Sequence, residues 1–177
     1  MITRSLESID IGIVIERREI DHPWQDYTWS PVAVFPGAPP MDAAGEWRKL
    51  REGEGWVQYH AATLELELFR GETDGYRTNL SEDQPYVYVV LTPGEEEDEP
   101  EVIPFLATVC PYEAEGYTED SEQIVEGVPM PTELAVWVQD FIDKYHVDVK
   151  FKKRKREPYD PRKEGFDARK PRGGSRR

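Results

Sequence analysis

If single residues carried out chemistry in this chain, the candidates would be Cys110, His22, His60 and His146, and the carboxylates Glu113, Glu115, Glu119, Asp120 and Glu122. Cys110 ends an apolar run and precedes Pro111, a placement open to a thiol nucleophile or a haem-sensing ligand. No Lys or Arg lies within about twenty positions to lower its pKa, so it reads instead as a small buried residue closing a strand. The three histidines share no metal-ligand spacing and are expected in structural roles. The five carboxylates lack the alternating Asp/Asn ligands, central Gly and terminal Glu of a calcium loop, and read as a solvated face. GxGxxG, GxxxxGK[ST] and GxSxG are missing as well, so phosphate-cradling chemistry of the usual kinds has no support. The sequence is therefore read as that of a non-enzyme with no cofactor. A catalyst or cofactor carrier built from dispersed residues is the alternative, which titration with guanine nucleotides or a pterin would reveal.

Recognition chemistry is better represented. His22-Pro-Trp-Gln-Asp-Tyr-Thr-Trp29 concentrates Trp24, Tyr27 and Trp29 in what should be a connection between two strands, and Arg17 and Arg18 precede it. Aromatic and Arg side chains together suit a contact surface with a charged rim. The competing reading is that Trp24 or Trp29 plugs the open end of a sheet. A second handle lies in residues 151–177, where twelve Lys and Arg, including Lys152, Lys153, Arg154, Lys155 and Arg156, face four Asp and Glu. The whole chain is at −14, so the first 150 residues are strongly acidic. A protein partner is expected through these handles. Contact of the basic segment with nucleic acid is the alternative, opposed by the acidic body; folding of that segment back on acidic surface is a third possibility.

These residues need a scaffold, and its pattern is mostly β. Ile9, Ile11, Ile13 and Ile15 alternate with Asp10, Gly12, Val14 and Glu16, which predicts a half-buried strand. Pro31-Val-Ala-Val-Phe35 is a second strand, stopped by the loop Pro36-Gly-Ala-Pro-Pro40. Between Trp56 and Phe69, Leu64, Leu66 and Leu68 oppose Thr63, Glu65 and Glu67, so one face should be wet. Tyr86-Val-Tyr-Val-Val-Leu91 reads as a central strand and Val102 to Cys110 as its antiparallel partner, with an extended, solvated acidic loop from Gly94 to Glu101 between them. One helix is predicted over Thr132 to His146, N-capped by Thr132, with Leu134, Val138, Phe141, Ile142 and Tyr145 on one face. A shorter helical turn is expected near Thr73 to Leu80.

About 150 residues suffice for one core. The expected organisation is a single α+β domain over residues 1–150, an antiparallel sheet of five or six strands, either open or curled toward a barrel, with one main C-terminal helix, followed by a basic, largely flexible tail over 151–177. With no apolar leader at Met1 and no run of about twenty apolar residues, membrane insertion is not expected and a cytoplasmic location is. One cysteine excludes an internal disulfide.

Several segments also resemble the bacterial family known as domain of unknown function 3305. They are Val14-Ile-Glu-Arg-Arg18, His22-Pro-Trp-Gln-Asp26, Trp29-Ser-Pro-Val-Ala-Val34, Pro36-Gly-Ala-Pro39, Glu72-Thr-Asp-Gly-Tyr76 within Leu66 to Leu80, Tyr86 to Leu91, Pro111-Tyr-Glu-Ala114, Val128-Pro-Met-Pro131 and Phe151-Lys-Lys-Arg-Lys155. Members are commonly encoded beside molybdenum-dependent formate dehydrogenases and their accessory proteins. The resemblance thus implies an accessory role in assembly or maturation of such an enzyme, with the enzyme or a maturation factor as partner.

Overall fold

The computed structural model describes residues 6–41 and 46–149. The chain divides into two units, Met1–His146 and Val147–Arg177, and every element below belongs to the first. The basic tail, with Lys152 to Arg156, lies outside the described residues.

The mixed α and β class with antiparallel sheets holds, and the strand count is corrected. Among the described residues there are seven strands in two sheets, not five or six in one, and the sheets do not close into a barrel. β1 (Glu7–His22), β2 (Gln25–Pro36), β3 (Arg48–Gly53) and β4 (Trp56–Leu68) form the first, in the order β2-β1-β4-β3. β5 (Tyr86–Pro93), β6 (Val102–Thr108) and β7 (Ile124–Pro129) form the second, in the order β6-β5-β7. β4 runs beside β6 and β2 beside β7, but no ladder joins either pair. The two sheets instead share one core, in which Ile11, Ile13, Ile15, Leu66, Val89 and Leu91 are fully buried.

β1 departs from simple alternation. Bulges at Val14/Ile15 against β2 and at Ile13/Val14 against β4 reorient it, and Val14 is buried as well as its neighbours. The loop after β2 returns to the outer edge of β4, with the Thr63 N–H donating to the Met41 carbonyl and the Thr63 hydroxyl to that of Pro39. Phe35 stacks edge-on against His60, which is buried, so the outer face is covered here. Farther along β4, Glu65 and Glu67 are exposed while Leu66 and Leu68 are buried, as the alternation predicts.

Three α-helices are present among the described residues: α1 (Thr73–Leu80), where a shorter helical turn was expected, α2 (Pro111–Tyr117), which was not expected, and α3 (Thr132–Tyr145), the expected main helix. α2 is short and starts with Pro at its first turn, where a missing N–H does no harm. α3 buries Leu134, Val138, Phe141 and Ile142 as its periodicity requires. Its capping differs from expectation: Pro131 is the N-cap, Thr132 is already helical, and no side chain caps the end. The acidic loop is folded into a turn rather than extended. Glu99 accepts the N–H groups of Glu95 (2.9 Å) and Glu96 (3.2 Å), and the Glu99 N–H reaches the Glu96 carbonyl.

Candidate functional site

Past Ile15, β1 continues for seven residues with falling burial, and β2 returns beside it from Gln25. The connection is only the two-residue turn Pro23-Trp24, so Tyr27 and Trp29 stand on a strand and not in the aromatic loop expected from sequence. Register places Arg17 opposite Trp29 and Glu19 opposite Tyr27. Cross-strand neighbours on one face touch, and the Arg17 guanidinium sits 4.5 Å from the Tyr27 ring centre and 5.9 Å from that of Trp29.

The aromatic surface continues laterally. Trp29 meets Trp47 edge-on at 5.5 Å, and Trp47 meets Tyr59 of β4 at 5.6 Å. All three are half-buried, and Trp29 and Trp47 pack against the core. Its indole N–H donates to Glu101 at 2.6 Å, which ties the acidic loop to the hairpin. The Trp47 indole nitrogen is buried with no hydrogen-bond partner. Trp24, in contrast, is 88% exposed at the tip, where its backbone N–H donates to His22 Nδ1 at 3.3 Å.

Arg18 faces the other way. It pairs with Glu16 (2.8 Å), Glu16 accepts from the Gln58 amide (2.8 Å), and Gln58 accepts from Arg51 (2.7 Å). The Gln58 hydrogen bond, against an opposing desolvation and with help from Arg18, holds the Glu16 carboxyl below its usual range. The hairpin is thus stiffened on both faces. Of the expected contact residues, Arg17, Tyr27 and Trp29 are brought together, Arg18 lies on the opposite face, and Trp24 stands alone at the turn. Sequence reasoning missed Trp47, Tyr59, Gln58, Arg51 and Glu101. Only Tyr59, in phase with Val57 along β4, carried a local signal.

The Cys110 region has a different character. The thiol is buried, and desolvation pushes its pKa up, away from a reactive thiolate. Gly75 of α1 packs against it so closely that a Cβ there would lie 2.6 Å from Sγ. Tyr76 donates its hydroxyl proton to Glu72 (3.2 Å) and accepts the Phe69 N–H (3.0 Å), and burial raises its pKa. Burial and the nearby Glu113 raise the Glu72 carboxyl. Asn79 donates to the carbonyls of Tyr86 (2.7 Å) and Val109 (2.9 Å) and accepts the Tyr86 N–H (3.0 Å). Glu72-Thr-Asp-Gly-Tyr76 and Asn79 therefore fasten α1 to β5 and to the start of α2.

His146 does the same for α3. Arg77 can only donate, so His146 Nε2 accepts from it at 2.7 Å, and Nδ1 donates to the Thr73 hydroxyl at 2.9 Å. Among the described residues no group of three His, Cys, Asp or Glu could hold a metal ion, and no helix is long and apolar enough to cross a membrane. A family model described as Protein of unknown function (DUF3305) matches residues 10–155. No curated protein and no solved structure matches the chain.

Proposed function

This chain belongs to the family of proteins of unknown function DUF3305, and from that premise we propose that it is a noncatalytic accessory protein whose hairpin end docks on a protein partner. The observation that carries the reading is Trp24, an indole 88% exposed at the turn of a hairpin held rigid by Arg17 stacked on Tyr27 and Trp29. A large aromatic on a stiff support loses little conformational freedom on binding, and Trp, Tyr and Arg dominate interface hot spots. Burying an indole removes about 200 Å² from water, worth roughly 5 kcal/mol before association entropy is counted.

The partner in this proposal is a molybdenum-dependent formate dehydrogenase or one of its maturation factors, a choice that rests on the family resemblance. Arg17 and Trp24 supply the anchor, Tyr27 and Trp29 the support, and Arg18 the charged rim, with Lys152 to Arg156 as a second handle. Affinity capture of tagged wild-type protein and of Trp24→Ala from the native cell tests it. Recovery of formate dehydrogenase components by the wild type and their loss in the variant are expected. Equal recovery by both, or no such component with either, would reject the assignment.

A further inference from the structure

β3 pairs with β4 only over Trp56 to His60. Beyond that, β4 has β1 on one side and no ladder partner on the other among the described residues. The N–H of Leu6 reaches the Leu68 carbonyl on the β1 side, while the N–H groups of Thr63 and Phe69 go the opposite way, to the Met41 carbonyl and the Tyr76 hydroxyl. By strand alternation, the backbone groups of Glu65 and Glu67 lie on that same outer edge, with no ladder partner. Among the described residues β6 likewise pairs only with β5, and β4 and β6 lie against each other along these edges without a ladder, too close for a further strand to pass between them.

A cleft of about 200 Å³ opens along this seam. Leu64, Phe69, Phe105 and Leu106 form its apolar walls, and Phe105 is 53% exposed. Glu65, Glu67 and Glu113 supply its charge. No Lys or Arg among the described residues forms an ion pair with any of the three. Glu113 accepts the Thr108 hydroxyl at 2.6 Å, and its charge raises the pKa of Glu72 nearby. Among the described residues the seam thus combines aromatic walls with carboxylates that no Lys or Arg neutralises.

We propose that the cleft between β4 and β6 receives an extended, arginine-bearing segment of a partner protein. The segment lies lengthwise along the outside of the seam and sends its side chains into the cleft. A guanidinium fits the cleft better than an ammonium does, since it stacks flat on Phe105 while forking to two carboxylates. This surface is separate from the hairpin end, so the two readings stand or fall independently.

The test is a fluorescence anisotropy titration of the full chain with a labelled peptide of four Val-Arg repeats. Saturable binding is expected, weakened about tenfold or more by the double variant Glu65→Gln/Glu67→Gln and by Phe105→Ser, with Val-Lys repeats binding more weakly. Removing three charges elsewhere, with Glu95→Gln/Glu96→Gln/Glu97→Gln, is expected to change affinity less than about threefold. Trp24→Ala should have no effect. All these side chains are exposed, and circular dichroism checks that each variant is folded. Absence of binding, or an equal loss in the 95–97 control, overturns the proposal. So does self-association on sedimentation when Glu65 and Glu67 are neutralised without any change in peptide affinity, because their charge would then serve only to keep the seam from packing against another copy. A gain in affinity when Lys152 to Arg156 are all changed to Gln would identify the chain's own basic segment as the occupant and also overturn it.

Discussion

Replacing Asn79 by Ala is expected to lower stability by about 3 kcal/mol. The side chain is 2% exposed and makes three hydrogen bonds, two as donor to the Tyr86 and Val109 carbonyls and one as acceptor from the Tyr86 N–H. Each contributes about 1 kcal/mol net, and the buried Val109 carbonyl is left without a donor. In a domain of this size the loss corresponds to a fall in Tm of roughly 10 °C. Asn79→Asp sharpens the test, because Asp has nearly the same shape and keeps the acceptor for Tyr86, yet turns a carboxylate oxygen toward two carbonyls. It is expected to be at least as damaging as Ala. Urea unfolding followed by tryptophan fluorescence gives both values, with an unchanged m-value marking an unchanged denatured state. A loss below about 1 kcal/mol in either variant, or a benign Asp, would refute the assignment of this segment to architecture.

Trp24→Ala is expected to change unfolding free energy by less than about 0.5 kcal/mol, since the side chain is 88% exposed, while removing partner capture. Gly75→Ala, whose new Cβ would lie 2.6 Å from Cys110 Sγ, should destabilise the protein by about 1–3 kcal/mol, and adding Cys110→Ala should restore much of that; strictly additive losses would contradict the packing argument. His60 is held below its usual pKa of about 6.5, chiefly by desolvation. The unfolded chain therefore binds more protons than the folded one as pH falls through that value, and stability should decline with acidification there. His60→Gln should flatten the curve below about pH 6.5 relative to wild type, and identical slopes in urea titrations there would disprove the link.

The β elements were legible where one face is apolar and the other wet. Leu64, Leu66 and Leu68 against Glu65 and Glu67 gave β4, and the two-faced apolar run Tyr86 to Leu91 gave the centre of the second sheet. β3 was not legible, because every residue from Arg48 to Gly53 is exposed and no hydrophobic period exists to detect. β7 was missed for a related reason: Val128 is its one fully buried residue. The hairpin turn was read as a longer loop since His22, Pro23 and Asp26 suit irregular chain, whereas ladder pairing of Arg17, Arg18 and Glu19 with β2 carries both strands almost to the tip. Trp29 and Glu101 are 72 residues apart, and no local pattern signals that contact. The aromatic end was thus half visible: its β1 and β2 members come from one sequence segment, while Trp47 and Tyr59 join only through β3 and β4.

The central claim is that the Trp24 tip is held against a protein partner in the cell. Its most direct test places a photo-crosslinking phenylalanine analogue at position 24, and in a separate variant at Val136, an exposed residue on α3. Irradiation of living cells should yield a discrete adduct from position 24, identified by mass spectrometry as a formate dehydrogenase component or maturation factor, and no such adduct from position 136. No adduct at position 24, or the same adduct from both positions, would contradict the account.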